Sequence, residues 1–293
     1  MPKLRFAAPV ERRVALVTGG ARGLGGATAV RLAEEGRDVV IADVLEKEGQ
    51  ERVAEIEALG QKALFVNVDV TDEGAVQACV KQAMDVFGRL DILVCCAGIL
   101  GWEKPFEEQT VEQFDKVMKI NVYGVYHFHQ AVIPHMLEGG WGRCVTITSG
   151  ARQAATNQVP YGVSKGAVYS FVGALGNAYS KRGVFVNGVE PGRALTEMVV
   201  PRFSPEFIAN PGNQLGRYSD PEEVAEVIAF LCSERNTYTT GSVWSVKGAS
   251  GEGDRRVERT GVVYNACCER TLSCASATNG KALDKYFLSR AFL

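Results

Sequence analysis

No stretch of this 293-residue chain approaches the ~18 consecutive apolar residues of a membrane span, which excludes a transmembrane helix. Excess charge of either sign is also missing. With 32 Lys and Arg against 34 Asp and Glu, the net charge of -2 gives nucleic acid or an acidic membrane little to hold. Histidine is scarce, at 3 residues, and the 8 cysteines are too few for a disulfide framework in a chain this long, so reduced thiols and a cytoplasmic protein are expected. Cys267, Cys268 and Cys274 lack a well-spaced fourth ligand and a nearby histidine, so no metal is expected. His127 and His129 stand two apart on a helix, cannot face one ligand together, and read as partly buried helix residues. Lys3, Arg5, Arg12 and Arg13 surround no apolar core of the kind a secretory leader needs, and a core strand starting at Val14 leaves little for a mitochondrial one. Internal repeats and low-complexity segments are absent too.

What the chain does have is alternation. Apolar, β-branched runs at 14–17, 39–43, 63–69, 91–98, 142–149, 184–190 and 242–246 read as strands. Helical patterns lie between them at 27–35, 46–59, from Thr71 or Asp72 to about Phe87, and at 111–137, 161–182 and 220–233. Regular alternation implies an α/β domain with a doubly wound parallel sheet between two helical layers. Right-handed crossovers then put the carboxyl ends of all strands on one rim. One domain is expected over residues 1–250. Within it, residues 193–219 form a long connection rich in apolar side chains, which reads as a substrate lid. Residues 251–293 lack the alternation and are set apart as a C-terminal extension.

The first strand stops on glycines and restarts as a helix. Gly19, Gly23 and Gly25 allow positive φ and bring backbone N–H groups close to a pyrophosphate, at the positive end of the helix that follows. The second strand ends on Asp43, where a carboxylate accepts hydrogen bonds from a ribose 2′-OH and repels a 2′-phosphate. Further on, Tyr161 and Lys165 stand four apart on a helix and share a face, while Ser149 ends the strand before them.

With Gly19-x-x-x-Gly23-x-Gly25, Ser149, Tyr161-x-x-x-Lys165 and Pro191-Gly192 in this order, the chain resembles the single-domain short-chain dehydrogenase/reductase family, from about Arg13 to Gly248. Members similar to 3-oxoacyl carrier-protein reductases and hydroxysteroid dehydrogenases come nearest in pattern. The resemblance implies a seven-stranded Rossmann sheet, a homotetramer or homodimer, and catalysis by Ser149, Tyr161, Lys165 and Asn121. Tyr161 would act as acid/base, Ser149 would hold the substrate oxygen, Lys165 would bind ribose hydroxyls and favour the phenolate, and Asn121 would position a water. It further implies cofactor contacts from Arg22, Leu24, Asp69, Val70, Ala97, Gly98, Pro191, Gly192 and Thr196, beside the three glycines, Asp43, Tyr161 and Lys165. Arg22 could support a phosphate, but Asp43 meets the ribose directly, so NAD is expected over NADP. The function that follows is interconversion of a secondary alcohol and a ketone on a small, fairly apolar substrate. A catalytically silent dinucleotide-binding scaffold or sensor, and a dehydratase or epimerase, are the alternatives.

The chain departs from the family pattern at three places. Cys95-Cys96-Ala97-Gly98 replaces Asn-Asn-Ala-Gly, Glu190 precedes Pro191 where small residues are common, and Val246-Lys-Gly-Ala249 stands for Val-Asp-Gly-Gly. Adjacent cysteines on a strand face opposite ways, so Cys95 and Cys96 are not expected to pair.

Overall fold

Seven parallel strands form one sheet in the order β3-β2-β1-β4-β5-β6-β7. The computed structural model describes residues 12–154, 156–196 and 213–249. The middle of the expected lid and the extension 251–293 lie outside the described residues. β1 (Val14–Thr18) is buried at every position, because a central parallel strand is covered on both faces. Leu16 faces a cluster with Val80, Phe128, Val132 and Met136, whereas Ala15 and Val17 face Leu32, Ile228 and Leu231. The chain's period-two side-chain alternation thus builds two cores from one strand.

β2 (Asp38–Asp43) and β4 (Ile92–Cys95) flank β1, and β3 (Ala63–Asn67) lies outside β2. Strand order reverses between β1 and β4, which is where open α/β sheets leave a crevice for ligands. α1 (Gly23–Glu34) starts in that crevice. α2 (Glu46–Ala58) returns the chain to β3, and α3 (Glu73–Phe87) is capped by the Asp72 side chain, which accepts from the Ala75 N–H at 3.0 Å. Asp72, rather than Thr71, is the cap. On the other side, β5 (Gly142–Ile147), β6 (Val184–Pro191) and β7 (Val243–Val246) complete the sheet.

The helix expected at 111–137 is two helices. α4 (Val111–Met118) and α5 (Gly124–Glu138) are joined by a π-helical turn, Lys119–Tyr123, which inserts extra residues without breaking the apolar face. A short α6 (Ala151–Ala154) follows β5, and α7 (Val159–Tyr179) begins with Pro160 in its first turn. α8 (Pro221–Leu231) opens as the sequence indicates, with Asp220 at the cap and its N–H donated to Glu223 at 3.0 Å. No helix among the described residues is long and apolar enough to cross a membrane.

Candidate active site

The glycine turn is a cradle that side chains would fill. Gly19 has φ +64°, and a Cβ there would lie 2.7 Å from the Ala97 nitrogen. A Cβ on Gly25 would come within 2.0 Å of the Gly19 carbonyl oxygen. Gly23, with φ +55°, starts α1, and Arg22 caps it in an extended conformation. Bare backbone at the amino end of a twelve-residue helix is the surface a pyrophosphate needs, so the residues present fit a dinucleotide. Gly25→Ala is expected to weaken NAD binding at least about 100-fold in titration calorimetry, since turn and helix start must part to admit the methyl group.

Asp43 ends β2 beside this turn. Its two carboxylate oxygens accept from the Ala21 N–H at 3.0 Å and the Leu45 N–H at 3.1 Å, which fixes the orientation of the group. Asp69 and Val70 lie just past β3, with the Asp69 side chain turned back to the Thr71 N–H at 2.9 Å. Val70 is buried, and its carbonyl oxygen meets His127 Nδ1 at 3.0 Å. The Ala97 N–H donates to Thr18 Oγ1 at 3.3 Å, so the end of β4 is tied to the end of β1 under the cradle. Leu24 packs into the core on the α1 side.

Tyr161 sits in the first turn of α7 with its phenol near the Ser149 side chain. One turn on, the Lys165 ammonium donates to the Ile147 carbonyl at 2.8 Å and lies 5.6 Å from the Tyr161 ring centroid. A Cβ on Gly98 would lie 3.8 Å from Lys165 Nζ, which places the lysine at the cofactor side of the crevice. Ser149, two residues past β5, therefore converges with Tyr161 and Lys165 of α7. Burial pushes the Tyr161 phenol above its usual value, with Ser149 working against that, and burial brings Lys165 down to about 8. Among the chain's own groups it is Ser149, not Lys165, that works to lower the phenol, and burial outweighs it.

Asn121 is fully buried at the centre of the π turn. Its amide is already spent within the protein. Nδ2 donates to the Ile99 carbonyl at 2.9 Å and to Ser164 Oγ at 3.0 Å, and Oδ1 accepts from the Ile99 N–H at 2.8 Å. This side chain clamps the segment after Gly98 to α7, and Ser164, which sequence reasoning did not single out, completes the clamp by donating to the Tyr161 carbonyl at 2.7 Å. Pro191 and Gly192 close β6, with the Gly192 N–H on the Val246 carbonyl at 2.7 Å. The Thr196 N–H folds back to the Ala194 carbonyl at 2.9 Å, within the first described part of the connection 193–219.

The departures at 95–96 leave the sheet intact. Cys95 pairs in register with Thr18 on one side and Thr146 on the other, forming a row of small side chains across β1, β4 and β5. Cys96 turns the other way and packs under the cradle, 3.2 Å from where a Gly25 Cβ would be. Both thiols are free, and burial pushes each up, Cys96 to about 12, so neither is a thiolate near neutrality. His129 is fully buried rather than partly so, and burial holds it neutral by lowering it to about 4.

Residues 19–249 match the family profile described as Enoyl-(Acyl carrier protein) reductase. The chain is 39% identical over 240 residues to cis-4-hydroxycyclohexanecarboxylate dehydrogenase of Sinomonas cyclohexanicum, covering 80% of this chain and 95% of that one. It is 34% identical over 246 residues to 2-dehydro-3-deoxy-L-rhamnonate dehydrogenase (NAD(+)) of a Sphingomonas species, covering 83% and 97%. The crystal structure of carveol dehydrogenase from Mycobacterium avium in complex with NAD superposes with a TM-score of 0.79 at 27% identity, over 83% of this chain and 99% of that one.

Proposed function

The chain belongs to the short-chain dehydrogenase/reductase family, and from that premise we propose that it interconverts a secondary alcohol and a ketone with NAD, using Tyr161 as acid/base. The observation that carries the reading is the meeting of Ser149, Tyr161 and Lys165 at the crevice that the glycine turn opens. The turn at Gly19, Gly23 and Gly25 holds the pyrophosphate, with Arg22 and Leu24 around it. Asp43 holds the adenosine ribose, Asp69 and Val70 the adenine side, and Ala97, Gly98, Pro191, Gly192 and Thr196 the nicotinamide side. Bound there, NAD supplies the acceptor for hydride and a positive charge beside the phenol.

In alcohol oxidation, Ser149 Oγ donates to the substrate oxygen and fixes it against Tyr161, which takes the hydroxyl proton. In reduction the same phenol returns the proton. Lys165 holds the ribose hydroxyls and adds positive potential near the phenol, while Asn121 keeps the segment after Gly98 and α7 in register. The protein, mixed with NAD and a panel of cyclic and open-chain secondary alcohols, is expected to generate the absorbance of reduced nicotinamide. Silence across the panel, with NAD bound, would instead favour the scaffold reading.

NAD is preferred because Asp43 is held by two backbone N–H groups and cannot swing away from a 2′-phosphate. The ratio of kcat/KM for NAD over NADP is expected to be about 100 or more, and to narrow in Asp43→Ser; an excess for NADP overturns this part of the reading. The substrate is a small, largely apolar alcohol or ketone admitted under the lid at 193–219, and a ring-bearing alcohol fits the name of the Sinomonas relative. We take residues 1–250 as the catalytic domain and 251–293 as a separate extension. We propose a homotetramer or homodimer, supported by the exposed apolar residues Tyr126 on α5 and Val163 and Tyr169 on α7, and a cytoplasmic location on the ground of the cysteine usage.

A further inference from the structure

Two of the three departures from the family pattern meet in space. Glu190 lies one residue before the end of β6 with only 3% of its surface exposed. One carboxylate oxygen accepts from Arg152 Nε at 2.9 Å, and the other pairs with Lys247 Nζ. The three groups come from three places. Arg152 stands in α6, three residues after Ser149, and its guanidinium lies 4.2 Å from the ring centroid of Tyr169 on α7. Lys247 directly follows β7. The carboxylate also borders the site itself. A Cβ on Gly150 would come within 3.3 Å of Lys247 Nζ and 3.9 Å of Glu190 Oε1, and one on Gly192 would come within 3.0 Å of the Lys247 Cα.

A buried carboxylate with two cations is a poor way to add stability, because desolvation offsets most of the attraction. Its directional bonds do fix geometry, and removing one partner leaves charge uncompensated. Here the fixed pieces are the backbone that carries Ser149, the Pro191-Gly192 turn and the exit of β7. The first carries the residue that is to hold the substrate oxygen, and the second lies on the nicotinamide side of the site proposed above.

Resting on the oxidoreductase reading above, we propose that Glu190 is a positioning residue: through Arg152 and Lys247 it holds the Ser149-bearing segment against the Pro191-Gly192 turn, so that Ser149 and Tyr161 address the substrate oxygen in one geometry. Glu190 does not touch the reacting atoms in this account. Its influence passes through the peptide that follows Ser149.

The test compares wild type with Glu190→Gln, the milder Glu190→Asp, and the double variant Glu190→Gln/Lys247→Met, all as full-length protein with NAD. Amide hydrogen exchange read by mass spectrometry is expected to quicken about tenfold in peptides covering 149–153 and 243–248 of Glu190→Gln, with 14–19 unchanged. In the same variant kcat falls about 100-fold, since a misplacement of about 1 Å costs that much, while the Kd for NAD moves less than about threefold. The double variant, which leaves one cation without its carboxylate instead of two, recovers part of kcat. Glu190→Asp keeps the charge and is expected to fall between wild type and Glu190→Gln, which preserves a readout should the glutamine variant fold poorly. Unchanged exchange at 149–153 overturns the proposal. So does exchange that rises evenly over the whole molecule, or a kcat retained within about threefold. If wild type itself turns over no alcohol, the oxidoreductase reading fails and this inference falls with it; an active wild type beside an unimpaired Glu190→Gln sinks the inference alone.

Discussion

Tyr161→Phe is expected to lower kcat for alcohol oxidation by about 1000-fold while leaving NAD affinity within about twofold. Phenylalanine keeps the buried ring, whose centroid lies 5.6 Å from the Lys165 ammonium, and loses only the oxygen that faces Ser149. Folding is therefore little disturbed, whereas the group that moves the proton is gone. The pH profile sharpens the test. Because burial raises the phenol above its usual value, the unliganded site holds Tyr161 protonated near neutrality, and proton abstraction in wild type grows as pH rises. That rising limb is expected to disappear in Tyr161→Phe. Steady-state rates across neutral to alkaline pH, with NAD binding measured by calorimetry, decide the matter, and a variant that keeps wild-type turnover would remove Tyr161 from its role.

Lys165→Met is expected to give a more stable and inactive protein. Burial lowers Lys165 from 10.5 to about 8, so in the folded state the ammonium loses its proton earlier than in the unfolded chain. Between those two values the unfolded chain binds more protons, and wild-type stability rises with pH; below the folded value the full cost of burying the charge is present. Methionine removes the charge and keeps the stem. The shift alone corresponds to about 3 kcal/mol at pH 7, and loss of the 2.8 Å bond to the Ile147 carbonyl returns about 1 kcal/mol, for a net gain of about 2 kcal/mol. The gain shrinks as pH climbs from about 8 toward 10.5. Denaturant unfolding at pH 7 and pH 10 measures it. A less stable Lys165→Met at pH 7 would show that the lysine is held by attraction rather than kept against its hydration.

What the sequence discloses and what it hides divide along the range of the interaction. β1 is legible because a central parallel strand must be apolar throughout, and the glycine turn because no other residue type permits Gly25 to lie 2.0 Å, at its absent Cβ, from the Gly19 oxygen. Tyr161 and Lys165 are legible because helical spacing alone puts them on one face. The π turn at Lys119–Tyr123 is not legible, since an added residue shifts the helix register without interrupting its apolar positions. Asn121 was identifiable by pattern, but its bonds to Ile99 and Ser164 join segments that only the fold brings together. Glu190 and Lys247 each look like an isolated irregularity in the sequence. They become one feature only because β6 and β7 pair in parallel, with Glu190 beside Ser245 and Pro191 beside Val246.

The close approach of Gly19 to Ala97 carries a thermodynamic corollary. The floor under the first turn is furnished by β4, so no fragment ending at β3 owns a finished nucleotide pocket. Coenzyme capture is therefore a reward reserved for the completed sheet. Every increment of free dinucleotide should draw the folding equilibrium toward the fully assembled state, and metabolic supply of the nucleotide becomes one of the forces that keep this polypeptide folded.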